Sequence, residues 1–535
     1  MSAAGGVNAG DATAGDVKAG NVKPAAINRP MITASIMLAT IIQALDGTIA
    51  NVALPHMQGS LSASQDQITW VLTSFIVAAA IATPLNGWLC DRFGLKRIFL
   101  VSVAGFTVAS VLCGLSGSLL QIVVARLLQG VFGAALVPLS QAVLLDINPR
   151  EKHGSAMAVW GMGVMIGPIL GPTLGGWLTD SYNWRWVFFI NVPLGALAFY
   201  GIWKFIVPVA PLRRVKFDAF GFITLSFAIG ALQLLLDRGE QNDWFGSTET
   251  WIEAIVLALS ASYFIAHTAL RPAGKSFLDY RLLANRNYVT GLLFIFIVGM
   301  VLFATRALMP SMLQSLMNYP AALAGLVTAP SGLGTMLAML VVGKLTGKVD
   351  FRLLLATGFA ITAFSLWQMA QYTLVLSQSD IIWPGIIQGI GLGLVFVPLS
   401  AATFATLTPA MRAEGTAIYS LVRNIGSSIG IALVQTLLVR NTQIAHASLG
   451  AHVNYANPAL QDAGVSTIYN LSSGAGMTAL NGEITRQASM IAYVDDYWLM
   501  MMLTIAVIPL LFLVKKPAAV ANPAAPAAVD HAALD

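Results

Sequence analysis

Asp46 and Arg126 are charged side chains set inside long apolar stretches. Asp46 stands in Leu45-Asp46-Gly47-Thr48-Ile49 and Arg126 in Ala125-Arg126-Leu127-Leu128-Gln129. An unpaired charge at the centre of a membrane helix costs about 2.5–3.5 kcal/mol on an insertion scale. Counting inward from Pro55 puts Asp46 about 13 Å below the end of its helix, and the same count puts Arg126 about 11 Å below the matching end of an antiparallel one. The two charges therefore share a depth. Gln43 and Gln129 lie three residues away on the same helical faces. Such a pair can be a fixed ion bridge, or the carboxylate can take up and release a proton. Intramembrane carboxylates typically relay protons, which favours Asp46 as the proton-exchanging group and Arg126 as its counter-charge.

Other chemistry finds no support. His56, His153, His267, His446, His452 and His531 show no metal-ligand spacing, so no metal site is expected. Cys90 and Cys113 are too few for a disulfide framework or a cysteine-based metal site. No phosphate-binding loop is present, so an ion gradient, with no cofactor, is the expected energy source. No His-Glu-x-x-His or similar cluster supports a membrane enzyme, and no rings of like charge support a channel.

The elements that must hold Asp46 and Arg126 follow from composition. The chain has 535 residues, 57% hydrophobic and only 10% charged, with a mean hydropathy of +0.74. Globular chains carry about 25% charged residues, so a soluble enzyme, a nucleic-acid binder and a disordered scaffold are excluded. The net charge of +5 and isoelectric point near 9.1 come from short Lys/Arg clusters between apolar runs, which read as membrane anchors and not as a nucleic-acid surface.

A hydrocarbon core about 30 Å thick takes about 20 apolar residues per helix. The sequence offers helices 1 to 14 at roughly 31–53, 68–88, 98–116, 119–146, 154–176, 185–207, 219–236, 250–270, 288–308, 321–343, 352–371, 381–401, 414–438 and 497–514. With the N-terminus inside, 22 lysines and arginines fall on the cytoplasmic side against 4 outside, namely Arg185, Arg238, Arg440 and Arg486. The asymmetry predicts both termini in the cytoplasm. Residues 1–30 and 515–535 read as loose tails, and 439–496 as a long external loop large enough for a small helical hairpin.

The chain also repeats itself. Gln129-Gly130 and Val137-Pro138-Leu139-Ser140 recur as Gln388-Gly389 and Val397-Pro398-Leu399-Ser400. Gly167-Pro168-Ile169-Leu170-Gly171 recurs as Gly426-Ser427-Ser428-Ile429-Gly430, and Leu54-Pro55 as Met309-Pro310. The expected organisation is a six-helix half over 31–207, two inserted helices with linkers over 208–287, and a second six-helix half over 288–514. Parallel halves of this kind place a substrate site between them near the midplane. Where Arg126 stands in the first half the second has Gly385, so the charge pair belongs to one half only.

Motifs for movement surround this frame. Gly87, Asp91, Arg92, Gly94 and Arg97 form a charged turn between helices 2 and 3, with a degraded copy over 343–352, and read as a gate or as a topology-setting turn. Helix 5 carries Gly163, Gly167, Gly171 and Gly175 with Pro168 and Pro172, a stripe that lets a neighbour pack backbone to backbone and, through its prolines, bend. Gln43, Trp70, Phe75, Gln129, Trp160, Met162, Met165, Phe396, Tyr419 and Arg423 are candidates to line a substrate cavity; lipid contact or core packing is the more common role for any one of the aromatics and methionines, and holding helices together is the equal alternative for Arg423. Arg306, four residues from Pro310, is expected to snorkel outward.

The run around Asp46, the turn Gly87–Arg97, Arg126 with Gly130, Gly167-Pro168…Gly171-Pro172, Phe189-Ile190-Asn191-Val192-Pro193 and Leu236-Asp237-Arg238-Gly239 together resemble the fourteen-helix drug:proton antiporters of the major facilitator superfamily, EmrB/QacA type and most closely EmrB. The resemblance covers almost the whole chain. It implies an all-α polytopic fold in a bacterial inner membrane and proton-driven export of hydrophobic or amphipathic toxic compounds. It further implies a periplasmic membrane-fusion adaptor and a TolC-like outer-membrane channel, with Asp46 as the coupling carboxylate and Arg126 as its partner. The family pattern lacks an arginine at the place of Arg306, which puts the substrate preference in doubt. An exporter dedicated to one metabolite or organic acid is the alternative on the same fold.

Overall fold

The computed structural model describes residues 28–513 except 209–216, 272–275, 347, 455–456, 462–464, 466–467 and 470. The expected tails fall outside the described residues, apart from the last three positions of the first. Among the described residues thirteen single helices and one bent pair are long and apolar enough to cross a membrane. These are the fourteen helices read from the sequence.

They run as helix 1 Arg29–Ser60, helix 2 as Trp70–Ala82 and Leu85–Phe93, helix 3 Leu95–Leu115, helix 4 Leu119–Ile147, helix 5 His153–Ser181, helix 6 Trp186–Phe205, helix 7 Ala219–Arg238 and helix 8 Thr248–Leu270. Helices 9 to 14 are Arg286–Ser315, Ala322–Leu345, Phe351–Met369, Gln378–Phe404, Pro409–Ala451 and Gly474–Leu511. Helix 2 bends by 55° at Pro84, whose ring removes a backbone donor. Polar caps begin several helices: Ser118, Asn285 and Ser473 each accept a hydrogen bond from a backbone N–H of the first turn.

Helices 13 and 14 outrun the membrane. The 43 residues of helix 13 span about 64 Å, twice the hydrocarbon thickness. Much of the stretch expected as loop, 439–496, is therefore helix, reaching Ala451 from one side and starting at Gly474 from the other. Falling hydropathy marks where a helix leaves lipid, whereas the helix ends only at a breaker or a cap. The two arms meet through His446 Nε2 and Asn481 Oδ1, 3.0 Å apart.

The repeat reappears as matched close approaches. A methyl group at Gly167 of helix 5 would lie 2.3 Å from the Ala44 carbonyl carbon of helix 1, and one at Gly426 of helix 13 would lie 2.2 Å from the Phe296 carbonyl oxygen of helix 9. Gly130 presses helix 4 on the Phe75 carbonyl of helix 2, as Gly389 presses helix 12 on the Ser331 carbonyl of helix 10. Only glycine allows backbones so close.

The inserted helices have different roles. Helix 7 lies against helix 2 of the first half and helix 13 of the second, where Ala80, Ile229 and Leu421 pack together and Gln233 Nε2 donates to Ser428 Oγ at 2.9 Å. Helix 8 packs on helix 7, and the most apolar stretch of helix 8 buries nothing, which fits a lipid-facing surface.

Candidate functional site

Asp46 and Arg126 are brought together by helices 1 and 4 in the interior of the first half. They are 0% and 1% exposed, and Arg126 Nη1 donates to Asp46 Oδ2 at 2.6 Å. The pair is embedded in a network that meets the demand of every buried charge for partners. Gln129 Nε2 and Asn191 Nδ2 donate to Asp46 Oδ1 at 2.8 and 2.9 Å. Arg126 Nε donates to the Val71 carbonyl at 3.0 Å, and Nη1 also reaches Gln129 Oε1 at 2.7 Å. Ser110 Oγ accepts from Asn191 at 3.0 Å and from Gln129 at 3.3 Å, and donates to the Phe188 carbonyl. The rings of Phe75 and Phe188 lie 4.3 and 5.7 Å from the guanidinium carbon, shielding it by cation–π contact.

Asn191 and Ser110 join this network although the sequence alone does not mark them as site residues. The signal was present in principle: an amide in an otherwise apolar helix 6 needs a partner just as a charge does. Gln129 belongs to this network, whereas Gln43 Oε1 is buried without a partner. Trp70 sits beneath Arg238, whose guanidinium carbon is 5.2 Å from the ring, so it faces the inserted helix 7.

The aromatic candidates meet at the seam between the halves. Trp160 of helix 5 stacks on Phe396 of helix 12 with centroids 5.8 Å apart. Trp160 Nε1 donates to Ser140 Oγ at 2.8 Å, and the hydroxyls of Tyr419 and Ser400 share a hydrogen bond at 3.1 Å. The repeat thus seats one aromatic ring on one serine in each half. Both rings are fully buried here, plugging the seam and not lining open space.

Nearer the end that carries the helix 2–helix 3 turn, further contacts join the halves. Arg412 Nη1, at the start of helix 13, donates to Asp146 Oδ1 at 2.6 Å and to the Leu145 carbonyl at 3.1 Å. A methyl group at Gly87 would lie 2.9 Å from Glu414 Cβ, so this glycine sets the approach of helix 2 to helix 13. Gly94 turns the chain with φ 86°, a conformation suited to glycine. Asp91 is half-buried, and Arg92 and Arg97 are exposed. Gly163, Gly167, Gly171 and Gly175 all face helix 1, against Met37, Ala44, Thr48 and Ile49, while Pro172 and Ile169 lie against Gly325 and Gly332 of helix 10.

One expectation is overturned. Arg306 does not snorkel outward: its Nη2 lies 3.5 Å from Met165 Sδ of helix 5, across the seam. Proximity to a helix end suggested escape to the interface, but the helical face it occupies points inward. Arg423 likewise stays inside, with Nη2 3.4 Å from Asn424 Oδ1 and Nε without a partner. Among the described residues neither arginine has a carboxylate within 4.0 Å. The described residues contain no group of three His, Cys, Asp or Glu side chains arranged to hold a metal ion.

Comparison with known proteins fits this geometry. Residues 36–431 match the family model of the Major Facilitator Superfamily. The chain is 34% identical over 489 residues to the fatty acid resistance protein FarB of Neisseria gonorrhoeae, covering 91% of this chain and 96% of that one. It is 34% identical over 493 residues to the multidrug export protein EmrB of Escherichia coli strain K12, covering 91% and 95%. The fold is shared with the human organic anion transporter MFSD10 (TM-score 0.57, 13% identity, 89% of this chain and 99% of that one). It is shared too with the proton:xylose symporter XylE (TM-score 0.55, 12% identity, 90% and 96%). With most of its length matching the family model and relatives aligned along nearly their whole length, this chain belongs to the major facilitator superfamily.

Proposed function

We propose that the chain is a proton-coupled multidrug exporter of hydrophobic and amphipathic compounds, working in a bacterial inner membrane with both termini in the cytoplasm. Relatives named as multidrug export proteins support the substrate class. The observation that carries the coupling reading is the buried Asp46–Arg126 pair with its ring of donors. In the conformation seen, Arg126, Gln129 and Asn191 all donate to the Asp46 carboxylate. Movement of helix 1 against helices 4 and 6 would strip those donors away and let Asp46 take a proton. The contacts of Arg412 with Asp146 and of Trp160 with Phe396 close the end that this reading makes cytoplasmic. Export then needs no covalent chemistry from the protein. The long arms of helices 13 and 14 would stand in the periplasm, where a membrane-fusion adaptor and a TolC-like channel would complete the route.

The test uses proteoliposomes with an imposed pH gradient. Asp46→Asn keeps the shape of the site and loses the titratable group. It is expected to bind substrate and to lose gradient-driven export by at least tenfold. Export at the parental rate, still responsive to the gradient, would place proton coupling elsewhere.

A second reading, an exporter dedicated to one organic acid, is favoured by Arg306 and Arg423, two inward guanidinium groups without carboxylate partners. The relative named for fatty acid resistance points the same way. A substrate panel separates the two: a single transported acid supports this reading, and broad transport of neutral and cationic compounds supports the first.

A further inference from the structure

Asp496 of helix 14 is 1% exposed, and neither of its carboxylate oxygens has a hydrogen-bond partner among the described residues. It lies where helix 14 packs against helices 9, 11 and 13. Its neighbours on helix 14 are Ala492, Tyr493, Tyr497 and Met500, all buried. Tyr493 Oη donates to Ser311 Oγ at 3.0 Å, and Tyr497 Oη is 3.8 Å from Met309 Sδ, so this level of helix 14 faces Met309 and Ser311 of helix 9. The repeat pairs Pro310, between them, with Pro55. Asp496 therefore sits near that end of the bundle, whereas Asp46 lies nine residues deeper on helix 1.

Among the described residues, the charged and titratable groups around Asp496 offer it no counter-charge. On helix 9, Arg306 is turned to Met165. On helix 13, Arg423 is turned to Asn424 and Arg440 is exposed. At the end of helix 11, Tyr372 contributes a ring edge to Tyr497, with centroids 5.9 Å apart. On helix 14 itself Asp495 is exposed, and Arg486 pairs with Glu483 at 3.2 Å. An ionised carboxylate without partners is among the costliest groups a protein can bury, and such a group neutralises instead.

We infer that Asp496 is a second proton-binding site, one that holds a proton in this packed conformation and releases it when helix 14 parts from its neighbours. The bookkeeping is simple: the O–H bond of the carboxylic acid breaks, the carboxylate keeps the electron pair, and water takes the proton. This inference rests on proton-coupled export, but not on Asp46 being the coupling group. The two carboxylates differ in half, depth and partners: Asp46 is ringed by donors, and Asp496 has none among the described residues.

The full chain in proteoliposomes tests this with two measurements. A protonated carboxyl group in apolar surroundings adds to dicyclohexylcarbodiimide, its proton going to a carbodiimide nitrogen and its oxygen to the central carbon; the product rearranges to a stable N-acylurea that peptide mass spectrometry locates. We expect modification at Asp496 that slows as pH rises and is absent from Asp496→Asn. In transport, Asp496→Asn should still export while the number of protons moved per substrate, read from opposing gradients at zero net flux, falls by about one. An unlabelled Asp496 at all pH values, or an Asp496→Asn protein with parental stoichiometry and pH profile, overturns the inference. Should the variant fail to fold, labelling of the parent protein decides alone. Failure of Asp46→Asn to impair export would instead count against Asp46 and leave the labelling result standing.

Discussion

In the first half, helix 1 brings Asp46 to Arg126 and Gln129 of helix 4, Ser110 of helix 3 and Asn191 of helix 6. In the second half, the repeat places Val301 on helix 9 opposite Asp46, and Gly385 and Gln388 on helix 12 opposite Arg126 and Gln129. The buried acid of the second half, Asp496, comes instead from helix 14, the counterpart of helix 6, nearer the helix end, and among the described residues it has no basic partner. A common frame thus holds two solutions to one problem. The first half buries a charge and surrounds it with donors. The second leaves its acid without donors, and burial then selects the neutral form. The difference teaches that the repeat conserves backbone approach, as at Gly167 and Gly426, more strictly than it conserves charge.

The sharpest way to break the contrast is to turn the first site into the second. Arg126→Ala leaves Asp46 buried with only amide donors, and losing one partner of a buried pair costs about 3–5 kcal/mol. The variant should unfold at a markedly lower temperature in detergent. Adding Asp46→Asn removes the stranded charge and should recover most of that loss. A double variant no more stable than Arg126→Ala alone would show that Arg126 acts through packing on Phe75 and Phe188 and not as a counter-charge.

Next in size is the backbone approach that both halves share. Gly167→Leu places a side chain where Ala44 main-chain atoms already lie, and Gly426→Leu does the same against Phe296. Each should still insert into the membrane yet lower export at least tenfold, with Gly167→Ala in between. Parental export by either leucine variant would show that its half tolerates separation of those helices during the transport cycle.

How much of this was legible follows from what sequence can price. Asp46 and Arg126 stood out because a charge in an apolar run demands an explanation, and their shared depth could be counted from Pro55. Asn191 and Ser110 are smaller polar groups, tolerated in many membrane helices, and only the packing of helices 3 and 6 reveals that they converge. Arg412 and Asp146 lie at helix ends among other charges, where no spacing rule couples residues so distant in the chain. Asp496 does not stand out because hydropathy starts helix 14 at the next residue and leaves Asp496 at the end of an apparent loop, whereas the helix itself begins at Gly474. Arg306 was misdirected because distance from a helix end says nothing about which face a side chain occupies.

The smallest expected effect concerns an acid outside the spans, which shows what a buried carboxylate does when donors outweigh burial. Asp218 caps helix 7 by accepting from the Gly221 N–H at 3.1 Å, and it also accepts from the Phe277 N–H at 3.1 Å. His267 Nε2 lies 3.1 Å away and Arg271 Nη1 3.2 Å away. Burial alone raises its pKa and is the largest single influence. The Gly221 N–H, the hydrogen bond and charge of His267 and the charge of Arg271 together outweigh it, so the pKa falls below the usual 3.8. A carboxyl whose value drops on folding stabilises the fold above its unfolded pKa, and that contribution fades as pH falls through the lower folded value. Asp218→Ala should therefore cost about 1 kcal/mol at neutral pH, the typical worth of a helix cap. The gap between parent and variant in thermal unfolding should stay level down to the ordinary carboxylate range and narrow below it. A gap that stays constant through strongly acidic pH would mean that Asp218 contributes by shape alone, with its charge adding nothing.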